Sequence, residues 1–524
     1  MRHFARITPW SVLTCFSLLF CGVWTLAAEP AGRKAALPQI RGVLYNEDDS
    51  NRFLFDAAGT MKPERLDRLV DELADSRVTT LLICCCHKRA NFASTAWEPV
   101  CEGFDPAKDN SQPYFGDIAP GARPVLRKYA DNMRVLLEAG VDPNGRMIRR
   151  CRQRGISPWI SIRMNDAHDA PLLRSPLHSR FWMEHPEYWR YPDTKQLRGS
   201  WSNRCFNYGL KPVRDHMMAL VREVCDRYDM DGLELDWNRF PLHFLPGEEA
   251  EQGKVLTEWM GEVRQVVRGA EKKWKHPIRL VARVPARPEV ALGTGLDAVT
   301  WARRGWIDHL VVAPFFTTTD FDIPVERWIE LLEGTGVGVT AGLETRIQPY
   351  PGAPTLTNTP ERRRGAAMAA LARGSQGIYV FNYFDVPSRM PWLLREMQSV
   401  EALRGKDRSY VVTFVDINVP GKPIRPVLPK KLAPGQAAEF RLFVGPKPVA
   451  GAHGEVHLNL AGAGPEEKCL ARVLINAKPT EGTGPFTFGR KCFEEGYNTV
   501  AISNRGTSPM RVKCVELAVR FRSK

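Results

Sequence analysis

Apolar residues follow two alternating rhythms along the first three quarters of this chain. Short β-rich runs are separated by stretches in which apolar residues recur at helical spacing. The runs are "IRGVLYN" from Ile40, "TTLLICC" from Thr79, "SPWISIRMND" from Ser157 and "DGLELDW" from Asp231. They continue with "IRLVARVP" from Ile278, "DHLVVAPFF" from Asp308, "GVGVTAGLE" from Gly336 and "GIYVFNYFD" from Gly377. Between them, "KPERLDRLVDELADSR" from Lys62 places Leu66, Leu69, Val70 and Leu73 on one helical face. "VRDHMMALVREVCDRY" from Val213 does the same with Met217, Leu220, Val221 and Val224, and "VLTEWMGEVRQVVRGA", "PVERWIELLEG" and "ERRRGAAMAALARG" follow suit. Eight strand–helix units over residues 38–404 predict an α/β fold, a (β/α)8 TIM barrel, with its largest insertions after the second and third strands.

From about Arg408 the helical rhythm stops. "SYVVTFVDI", "AAEFRLFVG", "GEVHLNLAG", "CLARVLINA", "YNTVAISN" and "MRVKCVELAVRF" are short strands divided by Gly, Pro and Asn turns. They predict a C-terminal β-sandwich over residues 405–524. Its aromatic residues include no tryptophan, so a structural or docking role is expected of it rather than independent ligand binding.

The N-terminus has a third texture. Arg2, His3 and Arg6 precede an apolar run that ends in "TLAAEP", the pattern of an export signal over residues 1–28 with cleavage near Ala28. A periplasmic or extracellular protein is expected, and no later stretch is long and apolar enough to span a bilayer. Of twelve cysteines, two fall in the signal; the rest show no metal-type spacing, and "ICCCHK" at Ile83 reads as a buried strand. Disulfides are permitted by export but cannot be paired from sequence. The net charge of +14 is dispersed, which argues against nucleic acid and leaves an anionic polymer as a candidate partner. "ERRRG" at Glu361 reads as a solvated helix face.

The fourth strand carries the chemistry. In "MDGLELDWNRFP" strand alternation sends Leu233, Leu235 and Trp237 to the surrounding helices and Glu234 and Asp236 into the barrel. Asp236 lies nearest the C-terminal mouth, where such barrels build active sites. Buried carboxylates are costly unless paired or used. Glu234 is therefore either catalytic or the partner of Arg163 or Arg283 on the neighbouring strands.

"YDMDGLELDWNRFP" resembles the fourth-strand signature of barrel glycoside hydrolases. "RMNDAHD" at Arg163, "SRFWMEHPEYW" at Ser179, "WIDHLVVAPFF" at Trp306 and "GIYVFNYF" at Gly377 are similar in order and spacing to the glycosyl hydrolase-like family 10 barrels, over about residues 38–400. The resemblance implies a (β/α)8 fold and cleavage of a poly- or oligosaccharide. Family-18 chitinases are similar in carrying D-G-x-D-x-D-W-E here, but the position of their acid is Asn238, an amide that cannot donate the proton. Asp236 must then carry the role of this strand.

Glycoside hydrolysis usually needs two carboxyl groups. Glu344, at the end of the seventh strand above Gly338, Thr340 and Gly342, is the expected second member. Asp320 is the next candidate and Asp385 the third. Arg163, Asn165, Asp166, His168, Asn238, Arg239, Arg283, Asp320 and Tyr383 are expected to contact the carbohydrate, with Trp182, Tyr188, Trp189 and Tyr191 as candidate stacking platforms. No cofactor or metal is expected. The alternatives are a non-catalytic carbohydrate-binding barrel and a metal-dependent hydrolase using "NDAHD".

Overall fold

The computed structural model describes residues 39–48, 50–192, 201–417, 419, 424–462 and 469–521. The expected signal at residues 1–28 lies outside them. β1 (Gly42–Glu47), β2 (Val78–Cys84), β3 (Ser157–Arg163), β4 (Gly232–Asp236), β5 (Arg279–Pro285), β6 (His309–Ala313), β7 (Gly338–Leu343) and β8 (Gly377–Phe381) pair parallel in chain order, and β8 closes on β1. The helical faces read from sequence are the buried ones: Leu66, Leu69, Val70 and Leu73 in the helix Glu64–Asp75, and Met217, Leu220, Val221 and Val224 in Lys211–Arg227. The two long insertions follow β2 and β3, as expected.

Strand alternation divides the barrel into two apolar regions. Leu233, Leu235 and Trp237 join the large core between strands and helices. Leu44, Leu82, Trp159, Val281, Val311, Tyr379 and Phe381 fill the interior. Trp159 is the floor beneath the fourth strand. A Cβ on Gly232 would stand 2.7 Å from its ring, so β4 must begin with glycine for that indole to fit.

The C-terminal region is a sandwich of antiparallel sheets. β9 (Arg408–Val411), β10 (Lys430–Leu432), β12 (Ala452–Ala461), β15 (Phe486–Gly489) and β17 (Met510–Phe521) form one sheet. β11 (Ala437–Gly445), β13 (Ala471–Ile475), β14 (Lys478–Pro479) and β16 (Gly496–Asn504) form the other. β10, β14 and β15 were not among the strands expected. Two of them have two or three residues, too short for a readable period, and β15 lies among Gly and Pro.

Barrel and sandwich share one apolar cluster, which includes Met368 and Ala369 of the helix Pro360–Ala372 and Val411, Leu442 and Val444 of the sandwich. That helix corrects the reading of "ERRRG". Its arginines are internal clamps rather than a solvated face. Arg362 pairs with Glu516 of β17 at 2.6 Å, Arg364 with Glu396 at 2.8 Å, and Arg363 is buried over the Tyr383 ring. Among the described residues, Cys85, Cys101, Cys151, Cys205, Cys225, Cys492 and Cys514 are free thiols.

Candidate active site

Register places three charged residues side by side at the top of the barrel. Arg163 of β3 lies opposite Asp236 of β4, which lies opposite Arg283 of β5. One layer down, Ser161, Glu234 and Val281 are aligned in the same way.

Asp236 accepts four hydrogen bonds. Two come from Arg283 Nη1, at 3.1 and 3.0 Å, and two from the backbone N–H groups of Asn238 and Arg239, both at 3.0 Å to Oδ1. The turn that follows β4 thus folds back over its own carboxylate. The other arm of Arg283, Nη2, donates to Glu344 Oε1 at 3.2 Å, and its guanidinium lies 4.4 Å from the Phe381 ring centroid. One buried arginine therefore joins the carboxyl groups at the ends of β4 and β7. Their environments differ. Glu344 takes this single side-chain donor, and burial pushes its carboxyl up to about 8 against the pull of Arg283 and Arg239.

Glu234 does not form the ion pair expected of it. Its Oε1 accepts from Ser161 Oγ at 2.7 Å, from the Tyr379 hydroxyl at 3.1 Å and from Asn46 at 3.4 Å, while Oε2 has no hydrogen-bond partner. Burial, and next the Asp236 charge, raise its pKa, favouring the neutral carboxyl. The two candidate arginines are used elsewhere. Arg283 goes up to Asp236 and Glu344, and Arg163 spans Asp48 at 2.8 Å and Asp166 at 3.1 Å. Guanidinium forks reach upward to the mouth, away from the layer of Glu234.

Asp166, His168 and Arg239 form a directed chain. Arg239 Nη2 can only donate, so the 2.8 Å contact makes His168 Nε2 the acceptor and leaves the ring proton on Nδ1. Nδ1 then donates to Asp166 at 2.9 Å. Burial lowers the pKa of His168 and so favours the neutral ring that this chain requires. Burial alone would raise the Asp166 carboxyl, but His168, His87 and Lys88 hold it well below the usual range. Lys88 Nζ also donates to the His168 carbonyl, at 2.8 Å.

Among the described residues, His87, Asp166 and His168 bring their ligand atoms within 4.8 Å of one another. The surroundings do not suit a metal cation. Both His168 nitrogens are engaged, and Arg163, Lys88 and Arg239 already crowd the same carboxylate and ring.

Several residues expected to touch substrate stitch loops together. Asn165 bonds the backbone of Phe206 and Leu242, and Asn238 donates to the carbonyls of Ala313 and Pro314 at 3.0 and 2.7 Å. Short amides at strand ends commonly hold neighbouring backbone in this way. Asp320 pairs with Arg287, and Asp385 is exposed beyond β8. Tyr383 is buried beneath Arg363. Trp182 and Trp189 are the core of the insertion rather than platforms, each indole N–H donating to a backbone carbonyl. Tyr188 and Tyr191 are half-buried.

Residues not anticipated complete the site: Asn46 and Asp48 at the end of β1, Lys88 after β2, Ser161 inside β3 and Tyr379 inside β8. Asp48 and Lys88 stand just past strand ends, where the barrel rule points, and Ser161 and Tyr379 occupy inward positions of the alternation.

The mouth is closed. Asp236 is 1% exposed and Glu344 2%. Trp201, Phe240, Phe315 and Phe316 form a chain of ring contacts across the loops after β3, β4 and β6, with centroids 5.1–5.7 Å apart. Beneath them Arg239 lies within 4.9–5.6 Å of the Phe240, Phe316 and Phe381 rings.

No protein-family model matches the chain, and no curated protein matches it. Solved structures do. The glycoside hydrolase domain of PgaB (BpsB) from Bordetella bronchiseptica is 10% identical with a TM-score of 0.41, over 69% of this chain and 99% of that one. The maltogenic α-amylase AmyB from Thermotoga neapolitana is 10% identical with a TM-score of 0.36, over 92% and 99%. A cycloisomaltooligosaccharide glucanotransferase from Paenibacillus sp. is 10% identical with a TM-score of 0.32, and the chain, 91% of it aligned, spans 57% of that protein's length.

Proposed function

We propose that this protein is an exported O-glycosyl hydrolase that cleaves a poly- or oligosaccharide with Asp236 and Glu344. The observation that carries the reading is the contrast between two carboxyl groups held by one arginine. Asp236 accepts four hydrogen bonds, from Arg283 Nη1 and the backbone N–H groups of Asn238 and Arg239, an acceptor geometry suited to a nucleophile or base. Glu344, raised to about 8, keeps its proton at neutral pH and suits a general acid. Glycoside cleavage asks for a carboxyl group that donates a proton and a second one that acts as base or nucleophile. Arg283 orients both and keeps them apart. The net charge of +14 favours a substrate bearing acidic groups. The order and spacing of the sequence motifs resemble those of the glycosyl hydrolase-like family 10 barrels, which supports this reading.

The burial of both carboxyl groups favours a second reading, a barrel that binds carbohydrate without cleaving it. Under the first reading the aromatic cover parts to admit substrate. Under the second, Arg283 permanently neutralises the acids. Turnover of a panel of neutral and uronate-containing glycans, with and without chelator, separates them. The hydrolase reading expects turnover indifferent to chelator and lost by at least about 100-fold in Asp236→Asn and in Glu344→Gln, both still folded. Binding without turnover supports the second reading. Wild-type rates in Asp236→Asn remove that residue from the mechanism, and activity lost to chelator points to a metal-dependent hydrolase.

A further inference from the structure

One carboxylate near the mouth belongs to neither the strands nor the loops of the barrel. Asp416 lies in the segment that leaves β9 of the sandwich. It accepts from three successive backbone N–H groups of the loop after β6: Phe315 at 2.8 Å, Phe316 at 2.8 Å and Thr317 at 3.2 Å. The neighbouring Ile417 is anchored in the common apolar core. The same loop is held from the barrel side by Asn238, through the carbonyls of Ala313 and Pro314. It carries two rings of the cover, Phe315 and Phe316, and Phe316 lies over Arg239. Its far end reaches Glu344, because the Thr319 hydroxyl donates to the Glu344 carbonyl and the Thr319 N–H to the carbonyl of Arg346 at 2.7 Å.

We propose that Asp416 is a positioning residue of the barrel-mouth site: the segment belonging to the sandwich latches the loop after β6, and through it the aromatic cover and Glu344. Three N–H groups in a row have no helix or strand to satisfy them, and a single charged acceptor fixes the loop in one conformation. The sandwich thereby becomes part of the active-site architecture, which gives its docking role a purpose. The Asp416 charge also acts on Glu344 directly. Arg283, Arg239 and Asp236 face Glu344 as well, and of these groups the two negative ones, Asp416 and then Asp236, favour its protonated form. Asp416 is itself faced by Asp320 and Glu344, and burial pushes it up to about 6 despite the three N–H donors.

The inference rests on the hydrolase reading only for the role of Glu344, and its test needs no turnover. Full-length Asp416→Asn removes the charge and places an amide against the N–H groups. Hydrogen exchange at Phe315–Thr317 and Thr319 is expected to rise about tenfold or more, while the amides of β4 keep wild-type protection. In carbon-13 spectra of protein with labelled glutamate carboxyls, the Glu344 resonance, identified by its loss in Glu344→Gln, is expected to titrate at lower pH in Asp416→Asn. Unchanged exchange in the loop overturns the proposal, as does a rise shared equally by the barrel strands or a Glu344 titration that does not move. A wild-type protein inactive on every glycan sinks the hydrolase reading and leaves the latch standing.

Discussion

Glu344 and Glu234 set the behaviour expected at the scale of single residues. Both carboxyls are raised by burial above their unfolded value of 4.5. The folded protein thus binds their protons more tightly than the unfolded chain does. The associated stability is fully present below about pH 4.5 and is lost as pH rises through the folded values, about 8 for Glu344. Melting temperature is expected to fall between pH 6 and pH 9, and to fall less in Glu344→Gln, whose amide cannot ionise. Parallel curves for the two proteins would show that Glu344 does not titrate in this window. Glu234→Gln should be close to neutral in stability at pH 7. No arginine is orphaned by it, and an amide oxygen can keep the donors from Ser161 and Tyr379. A loss above about 3 kcal/mol would restore the ion pair that the strand pattern first suggested. Alternation identified both acids as inward-facing. Their partners lie on strands far away in the chain, so which guanidinium points up and which carboxyl stays neutral was not legible.

At the scale of elements, the helix Pro360–Ala372 packs its backbone closely against β9 at Gly365. A Cβ on Gly365 would fall 2.0 Å from the Ser409 carbonyl oxygen. On an exposed helix, Gly→Ala stabilises by up to about 1 kcal/mol. Here the sign reverses, because the added methyl must push the strand away, at a cost of roughly 1–3 kcal/mol. Chemical denaturation of Gly365→Ala gives that sign directly; a gain in stability would mean that β9 does not rest on this helix. The helix and strand were each readable from periodicity. That "ERRRG" faces protein rather than water was not, since three arginines in a row carry no apolar stripe and their acidic partners come from other elements.

At the scale of the molecule, the join between barrel and sandwich is both apolar and ionic. Arg362 and Glu516 pair across it at 2.6 Å with side chains 16% and 11% exposed. A nearby cluster sets Arg373 between Asp322, Glu326 and Tyr497. A double-mutant cycle with Arg362→Met and Glu516→Gln should give a coupling of about 1–3 kcal/mol, well above that of a surface pair. A coupling near zero would show that the apolar contacts alone hold the two parts together.

Local pattern was enough to determine the eight strands, their order, the layer on which Glu234 and Asp236 lie and the change of architecture near Arg408. Those features depend on side-chain periods of a few residues, which any short window displays. Tertiary structure alone decided that Arg283 serves Asp236 and Glu344 together, that His168 is held between Asp166 and Arg239, and that four aromatic rings close the mouth. It also brought Asp416 of the sandwich segment onto a loop about 100 residues earlier in the chain. Such contacts arise from barrel closure and from the docking of one module on another, which bring together residues that share no local pattern.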